Sequence, residues 1–373
     1  MSTFKVPLTE IRAMHAHPNA ERLEIAEVYA WYVIVQKDRY KPGDKVVYVP
    51  VDSILNPELE AKLFPEGSKI KLTKSRVKSI KIRGNISQGM LIDPREFALD
   101  NLPLETDCAS FLGVTKYESP VNEMPRYMFV KTSKKVQNAN FSKYSDIENL
   151  KYYDRVIQDG EIVNISEKLH GTSARFNWVL NEPNTLWKKF LRVVGLLPKW
   201  EFCWGSRNVQ IQNKPFHQGY YDIDVYTKIM NQYNLRNRIP KGVGLYGEIV
   251  GDGIQKNYTY GCGKNEHAFY VYDVRDTRDP DRKNHRWLDH AEMTEFCARH
   301  GFETVPQLYV GPWSMQEALK HRDGDSTIGG QKVREGIVVK PVVERTSPTI
   351  GRVILKFISD AYYLNNEDGT EFH

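Results

Sequence analysis

Apolar and polar positions alternate in short bursts over the first third of the chain. Runs at 28–35 (Val-Tyr-Ala-Trp-Tyr-Val-Ile-Val), 45–51, 79–83 and 88–92 each fit a strand, with Pro42-Gly43-Asp44 and Arg83-Gly84-Asn85 as turns. One short helix, from about Pro57 to Phe64, interrupts them. Strands this short and this dense predict a small closed all-β barrel. Residues 117–158 keep no sustained apolar period, which places a domain boundary near 130 and a linker over 131–150. From 151 to 373 longer strand-like runs return: Gly160–Ile165, Trp200–Trp204, Leu245–Val250 and Phe269–Val274. Helices separate them. One runs from about Asp222 to Tyr233, and another starts at Asp289 with Glu292 three residues on and Gly301 just past its end. Antiparallel strands mixed with such helices predict an α+β domain. Leu186–Leu197 carries apolar residues at helical spacing and is expected to cap that domain's sheet.

Composition narrows the class. The chain has 373 residues, enough for two domains, and 40% of them are apolar, an ordinary share for a globular protein. A net charge of +5 and a pI near 8.7 permit a nucleic-acid partner without demanding one. Four scattered cysteines, Cys108, Cys203, Cys262 and Cys297, match no metal-site spacing and suit a reducing compartment. With no signal-like apolar start and no apolar run approaching ~18 residues, a cytoplasmic protein without membrane association is expected. The stretch Ile70–Arg83 has six cations in fourteen residues. Strand alternation would set Lys81 and Arg83 on one face and Ile80 and Ile82 on the other, so that with Lys78 they could track a phosphate backbone above a core.

Candidate chemistry centres on Ser166-Glu-Lys-Leu-His-Gly-Thr-Ser173. Lys168 ends a strand-like run three residues before Gly171, whose missing side chain would admit a phosphate. A lysine attacks only as the neutral amine, so its site needs cationic neighbours or a metal. Arg207, in Gly205-Ser-Arg-Asn208, stands at a strand end where its fork could hold a phosphate.

In order, the stretch around Lys168, Gly205-Ser-Arg-Asn208, Leu245-Tyr-Gly-Glu-Ile-Val250, Phe269-Tyr-Val-Tyr-Asp-Val274, Glu335-Gly-Ile-Val-Val-Lys340 and Ile354-Leu-Lys-Phe-Ile-Ser359 resemble motifs I to V of the covalent nucleotidyltransferase superfamily of ligases and capping enzymes. Lys-x-His-Gly-Thr and Gly251-Asp-Gly-Ile-Gln-Lys256 are similar to the phage-type nick-sealing RNA ligases. His17–Glu24, Tyr40–Lys45 and Gln88-Gly-Met90 resemble the OB module that precedes the catalytic domain in one class of bacterial RNA ligases, and also tRNA-binding OB domains of synthetase accessory factors.

The resemblance implies an OB-like barrel followed by an ATP-grasp-like ligase adenylyltransferase domain with antiparallel sheets. It implies an ATP-dependent enzyme that joins RNA 3′-hydroxyl and 5′-phosphate ends, with a nicked duplex as partner, Mg2+ or Mn2+ as cofactor and no obligate protein partner. Lys168 would be the nucleophile that carries AMP, Glu167 would read the adenine amino group, and Gly171 would admit the phosphate. Tyr272 would stack on the base and Glu248 would bind the ribose, with Glu248 and Glu335 serving the metal. Lys340 and Lys356 would neutralise phosphates, and Arg207 would hold the 5′-phosphate of the RNA. Related motifs carry two lysines where this chain has Ile354 and Lys356, so part of that duty falls on Lys356, Lys340 or Arg352. Two other readings fit parts of the pattern. One is a capping-type guanylyltransferase, which places its OB domain after the catalytic one, where this chain has about fourteen residues beyond Ser359. The other is a non-catalytic RNA-binding protein.

Overall fold

A computed structural model describes residues 3–68, 72–118, 138–183, 186–211, 224–279 and 281–365. They gather into two units. The first contains the described residues up to 118 together with 147–156 and 357–365; the second contains 138–146 and 157–356. A division at 130 and 150 would leave those two later segments elsewhere, but their bonds tie them to the first unit. Arg12 forks onto Asp154 at 2.6 Å, the Ala30 N–H donates to the Lys151 carbonyl at 3.0 Å, and Gln88 Nε2 donates to Asp360 Oδ1 at 3.3 Å. Of the expected linker, residues 131–137 lie outside the described residues.

In the first unit Lys45–Val49 pairs with Leu8–Glu10 on one side and Met90–Ile92 on the other. Its alternation serves two cores: Val47 and Val49 pack with Leu55 and Ile92, while Val46 and Tyr48 pack with Trp31 and Val33. Ala13–Ala16, Leu23–Val28 and Trp31–Gln36 form a meander. The apolar run 28–35 is therefore not one strand. Tyr29 takes a left-handed φ of +54° and turns the chain between two of them. The expected helix spans Pro57–Leu63, with the Asn56 side chain accepting from the Leu59 N–H at 2.7 Å. Among the described residues the strands form separate ladders and not one closed barrel, since sharp left-handed turns at Tyr29, Asp52 and Arg83 keep the pieces short.

The basic stretch differs from its expected form as well. Its strand spans only Ile80–Ile82, and Arg83 sits in the following turn at φ +49°. Ile80 is 47% exposed, so no buried apolar face lies beneath Lys81. Arg76 is buried in an ion pair with Asp52 at 2.6 Å, which removes it from any phosphate-facing stripe. Residues 70 and 71 lie outside the described residues.

The second unit holds a six-stranded antiparallel sheet in the order Gln210–Ile211, Trp200–Ser206, Thr172–Leu180, Val243–Gly251, His267–Asp276, Arg286–Trp287. One face carries Ala174, Phe176, Leu245 and Phe269 into a core closed by the helices Val225–Gln232 and His290–His300. The second helix has the expected capping box between Asp289 and Glu292 and ends on Gly301 at φ +66°. A second sheet sets Ile162–Lys168 between Gln307–Pro312 and Gly336–Pro341, with Leu355–Ile358 adjoining the last.

The segment expected to cap the six-stranded sheet does not do so. Its helix, Leu186–Val193, exposes Leu186, Trp187, Phe190 and Val193 to solvent. The core face of the sheet is already covered by the other two helices.

Candidate active site

Period-two alternation sorts the second unit's large sheet into an apolar face and a polar one. Ser173 and Glu248 stand directly opposite each other across neighbouring strands, on the face away from the core. On the next strand the register shifts: Gly247 faces Val271, but Tyr246 faces Asp273, leaving Tyr272 with no opposite residue. This bulge brings two consecutive side chains, Tyr272 and Asp273, to the polar side and returns Val274 to the core. Phe269 packs in the core while Tyr270 and Tyr272 stay half-buried, as alternation predicts.

Lys168 is the last residue of its strand, opposite Gly336. Its ammonium donates to Glu335 Oε1 at 2.7 Å, and Glu335 is buried. The neighbour expected to be cationic is thus an anion, and an ion pair of this kind favours the charged form of the lysine. His170 Nδ1 lies 3.7 Å from Glu335 Oε2. Burial pushes the His170 pKa below its ordinary value despite the pull of Glu335, which favours the neutral imidazole.

The turn after Lys168 is held on every side. The His170 N–H donates to the Tyr260 hydroxyl at 2.7 Å, and Gln255 Nε2, from Gly251-Asp-Gly-Ile-Gln-Lys256, donates to the Gly171 carbonyl at 2.9 Å. A Cβ on Gly171 would stand 2.3 Å from the Ile249 carbonyl oxygen and 2.8 Å from Glu248 Cγ, so only glycine lets this turn approach the Glu248 strand. Glu248 is close enough for its carboxyl to feel Lys168, Glu335 and Arg207. Its pKa is pushed up to about 8, chiefly by burial; Lys168 pulls against the shift and Glu335 adds to it.

Glu167 is fully buried beside the nucleophile position. Its Oε2 accepts from both the N–H and the hydroxyl of Thr327, each at 3.0 Å, whereas its Oε1 has no hydrogen-bond partner. Tyr272 packs its ring 4.7 Å from that of Tyr144, and its hydroxyl meets Ser173 Oγ at 2.7 Å. Arg207 hydrogen-bonds Asp146 and reaches the Ser145 carbonyl at 3.4 Å. Lys340 is committed to two carboxylates, Asp273 at 2.9 Å and Glu344 at 3.1 Å. Arg352 pairs with the same two, at 2.6 Å from Asp273. Lys356 is buried on the strand beside Gly336–Pro341.

The fold therefore brings Lys168, Gly171, Arg207, Glu248, Tyr272 and Glu335 into one polar cluster with Glu167 at its wall. Lys78, Lys81 and Arg83 belong to the first unit. Sequence reasoning passed over four side chains that shape this cluster: Thr327, Tyr260, Tyr144 and Asp273. Asp273 left a signal, a lone charge inside the aromatic run Phe269–Val274. Thr327 left none, being 160 residues from Glu167.

No curated protein matches the sequence. Several solved structures of Naegleria gruberi RNA ligase share the fold. A lysine-to-methionine variant with AMP and Mn is 19% identical with a TM-score of 0.71, over 97% of this chain and 99% of that one. A lysine-to-alanine variant with ATP and Mn is 20% identical with a TM-score of 0.70, over the same shares. The form with pyrophosphate is 20% identical with a TM-score of 0.71, over 98% and 100%. A sequence model of an OB-fold domain matches residues 6–94, which lie within the first unit. The RNA ligase family model matches residues 161–358, a span that contains the whole Lys168–Glu248–Glu335 cluster and more than half of the chain, and so the chain belongs to the RNA ligase family.

Proposed function

We propose that the protein is an ATP-dependent RNA ligase that seals a 3′-hydroxyl to a 5′-phosphate at nicks in a duplex, through a covalent lysyl-AMP on Lys168. The observation that carries this reading is the contact of Lys168 Nζ with Glu335 Oε1 at 2.7 Å beside Glu248, inside a ligase-family domain. The amine of Lys168 attacks the α-phosphorus of ATP and pyrophosphate leaves. AMP then passes to the RNA 5′-phosphate, and the 3′-hydroxyl displaces it.

The residues fit an adenine nucleotide. A buried carboxylate oxygen without a donor costs roughly 1–3 kcal/mol, and the Oε1 of Glu167 is such an atom. An adenine amino group would satisfy it; the carbonyl of guanine at the same position would meet like charge. This favours a ligase over a capping-type guanylyltransferase. Tyr272 offers the base a ring already braced by Tyr144, and Arg207 offers a guanidinium to the RNA phosphate.

The residues also fit a divalent cation. Two neighbouring carboxylates, one raised to about 8 by burial, form a site that a positive charge would relieve. Two carboxylates are enough for Mg2+ or Mn2+, which keeps water and substrate phosphates in its shell. Glu335 and Glu248 would hold the ion, which would supply charge neutralisation at the phosphates. A cation near Glu335 would compete with Lys168 for that carboxylate's charge, and a weaker hold on Lys168 favours the neutral amine. By the motif resemblance Lys356, buried on the strand beside Gly336–Pro341, would be the phosphate-directed cation, while Lys340 and Arg352 are engaged with Asp273. The first unit holds the RNA.

The test is incubation with radiolabelled ATP or GTP and Mg2+ or Mn2+, followed by denaturing electrophoresis. Covalent label from ATP alone is expected. Lys168→Ala should abolish it yet still seal a nick whose 5′ end is already adenylylated. Label from GTP, or label retained by Lys168→Ala, overturns the reading.

A further inference from the structure

The strands Thr172–Leu180 and Trp200–Ser206 pair up to Leu180–Trp200, and the chain between them leaves the sheet. This excursion contains the helix Leu186–Val193. At 100° per residue, positions 186, 187, 190, 191, 193 and 194 fill one arc, all apolar, while Lys188, Lys189 and Arg192 fall on the other. The apolar arc faces solvent. Leu186 and Val193 are each 84% exposed, Trp187 67%, and Leu196 just beyond the helix 73%. Trp187 and Phe190 stack with ring centroids 5.6 Å apart. The Arg192 guanidinium bonds the carbonyls of Asn181 and Pro198, bracing the two ends of the excursion against each other. A contiguous exposed patch of this kind marks a surface that something covers.

We propose that this helix is an interfacial anchor that seats the protein on an anionic lipid surface. Charge selects the occupant. Between Glu182 and Glu201 there is no acidic residue, whereas Lys188, Lys189, Arg192 and Lys199 are all cationic. Such one-signed charge complements a uniformly negative surface, while a protein surface carries both signs. RNA would satisfy the charge and could stack on Trp187 and Phe190, but Leu186, Val193, Val194 and Leu196 give a nucleic acid nothing to read or stack on. An aliphatic face with aromatic residues and a cationic opposite arc is the pattern of a helix lying in the plane of a bilayer interface. With only eight helical residues, the attachment is reversible and depends on both signals together. The helix lies outside the nucleotide cluster, so attachment leaves that cluster's residues unoccupied.

The experiment is co-sedimentation of the full chain with vesicles of phosphatidylcholine alone or with about one-third phosphatidylglycerol. Partition at least about tenfold stronger on the anionic vesicles, weakening as salt rises, is expected. Trp187→Ser with Phe190→Ser and Val193→Ser should abolish it without moving the thermal unfolding transition, because these side chains pack in no core. Lys188→Glu with Lys189→Glu, which leaves the apolar arc intact, should reduce it as well, so the test survives if either variant misfolds. Equal or absent binding to the two vesicles overturns the proposal. So does a wild-type dimer that the serine variant converts to monomer, which would make a second copy the occupant. A serine variant that keeps its lipid binding but loses RNA affinity would assign the face to RNA instead.

Discussion

Asp273→Asn tests whether the bulge at Tyr272 exists to bury one anion beneath the site. Asp273 is fully buried and takes Lys340 at 2.9 Å, Arg352 at 2.6 Å and the Tyr144 hydroxyl at 2.8 Å. With Glu344, the group is two cations and two anions. The substitution keeps size and one acceptor but leaves a net positive charge in a desolvated place. Removing one partner of a buried ion pair costs ~3–5 kcal/mol, and the surviving Glu344 argues for the lower end, about 3 kcal/mol. At ~2–4 °C per kcal/mol for a domain of this size, the melting transition of the catalytic unit should fall by roughly 6–12 °C at pH 7. Calorimetry or circular dichroism would measure it. The pH dependence supplies a second check. Burial disfavours the charged form of Asp273, yet Lys340 and Arg352 hold its pKa below the ordinary carboxylate range. Its contribution is therefore present above the unfolded-state pKa and lost as pH falls through the lower folded value. The gap between wild type and variant should narrow in acid as the native aspartate itself takes up a proton. Adding Arg352→Met should recover part of the loss by removing the excess cation. A fall of under about 1 kcal/mol at pH 7, or a gap that acid leaves unchanged, would refute the reasoning.

Thr327→Val removes the hydroxyl that helps fix Glu167 while keeping the backbone N–H. A hydrogen bond to a charged group is worth ~1.5–3 kcal/mol, so KM for ATP in self-labelling should rise about tenfold or more and Thr327→Ser should restore it. If Glu167→Gln leaves ATP selectivity intact, Glu167 does not read the base; if only Thr327→Val is silent, the clamp alone fails. Gly171→Ala forces a Cβ to within 2.3 Å of the Ile249 carbonyl, and a strain of ~1–3 kcal/mol predicts a labelling rate lower by about tenfold to a hundredfold. A normal rate would show that the turn can yield. Lys81→Ala with Arg83→Ala should weaken RNA binding and lower its salt slope by roughly 1.4–1.8, with AMP labelling unchanged. An unaltered slope would place the RNA elsewhere.

Much of the catalytic unit was legible in the chain because its signals are local. A strand end, a glycine turn and a histidine within Lys168–Gly171 are set by period-two alternation and by the φ and steric freedom of neighbouring residues, as is the capping box at Asp289. The order of the motifs carrying Glu248, Tyr272 and Glu335 was readable through its resemblance to the ligase superfamily, each motif being a short local string. What those groups touch was not. Lys168 meets an anion and not a cation because the strand pairing of Lys168 with Gly336 delivers Glu335 to its amine. Thr327 reaches Glu167 only through the folded loop that carries it, and Asp273 joins Tyr272 on the polar side only because one strand holds an extra residue against its neighbour. Apolar spacing at 186–197 correctly signalled a helix, yet periodicity states which residues share a face and not what that face meets. Two other helices had already taken the sheet's apolar side, so this one was left in solvent. Alternation likewise allowed a basic strand face at 78–83, but a turn at Arg83 and the burial of Arg76 against Asp52 are decisions of backbone sterics and long-range pairing that only the tertiary structure makes.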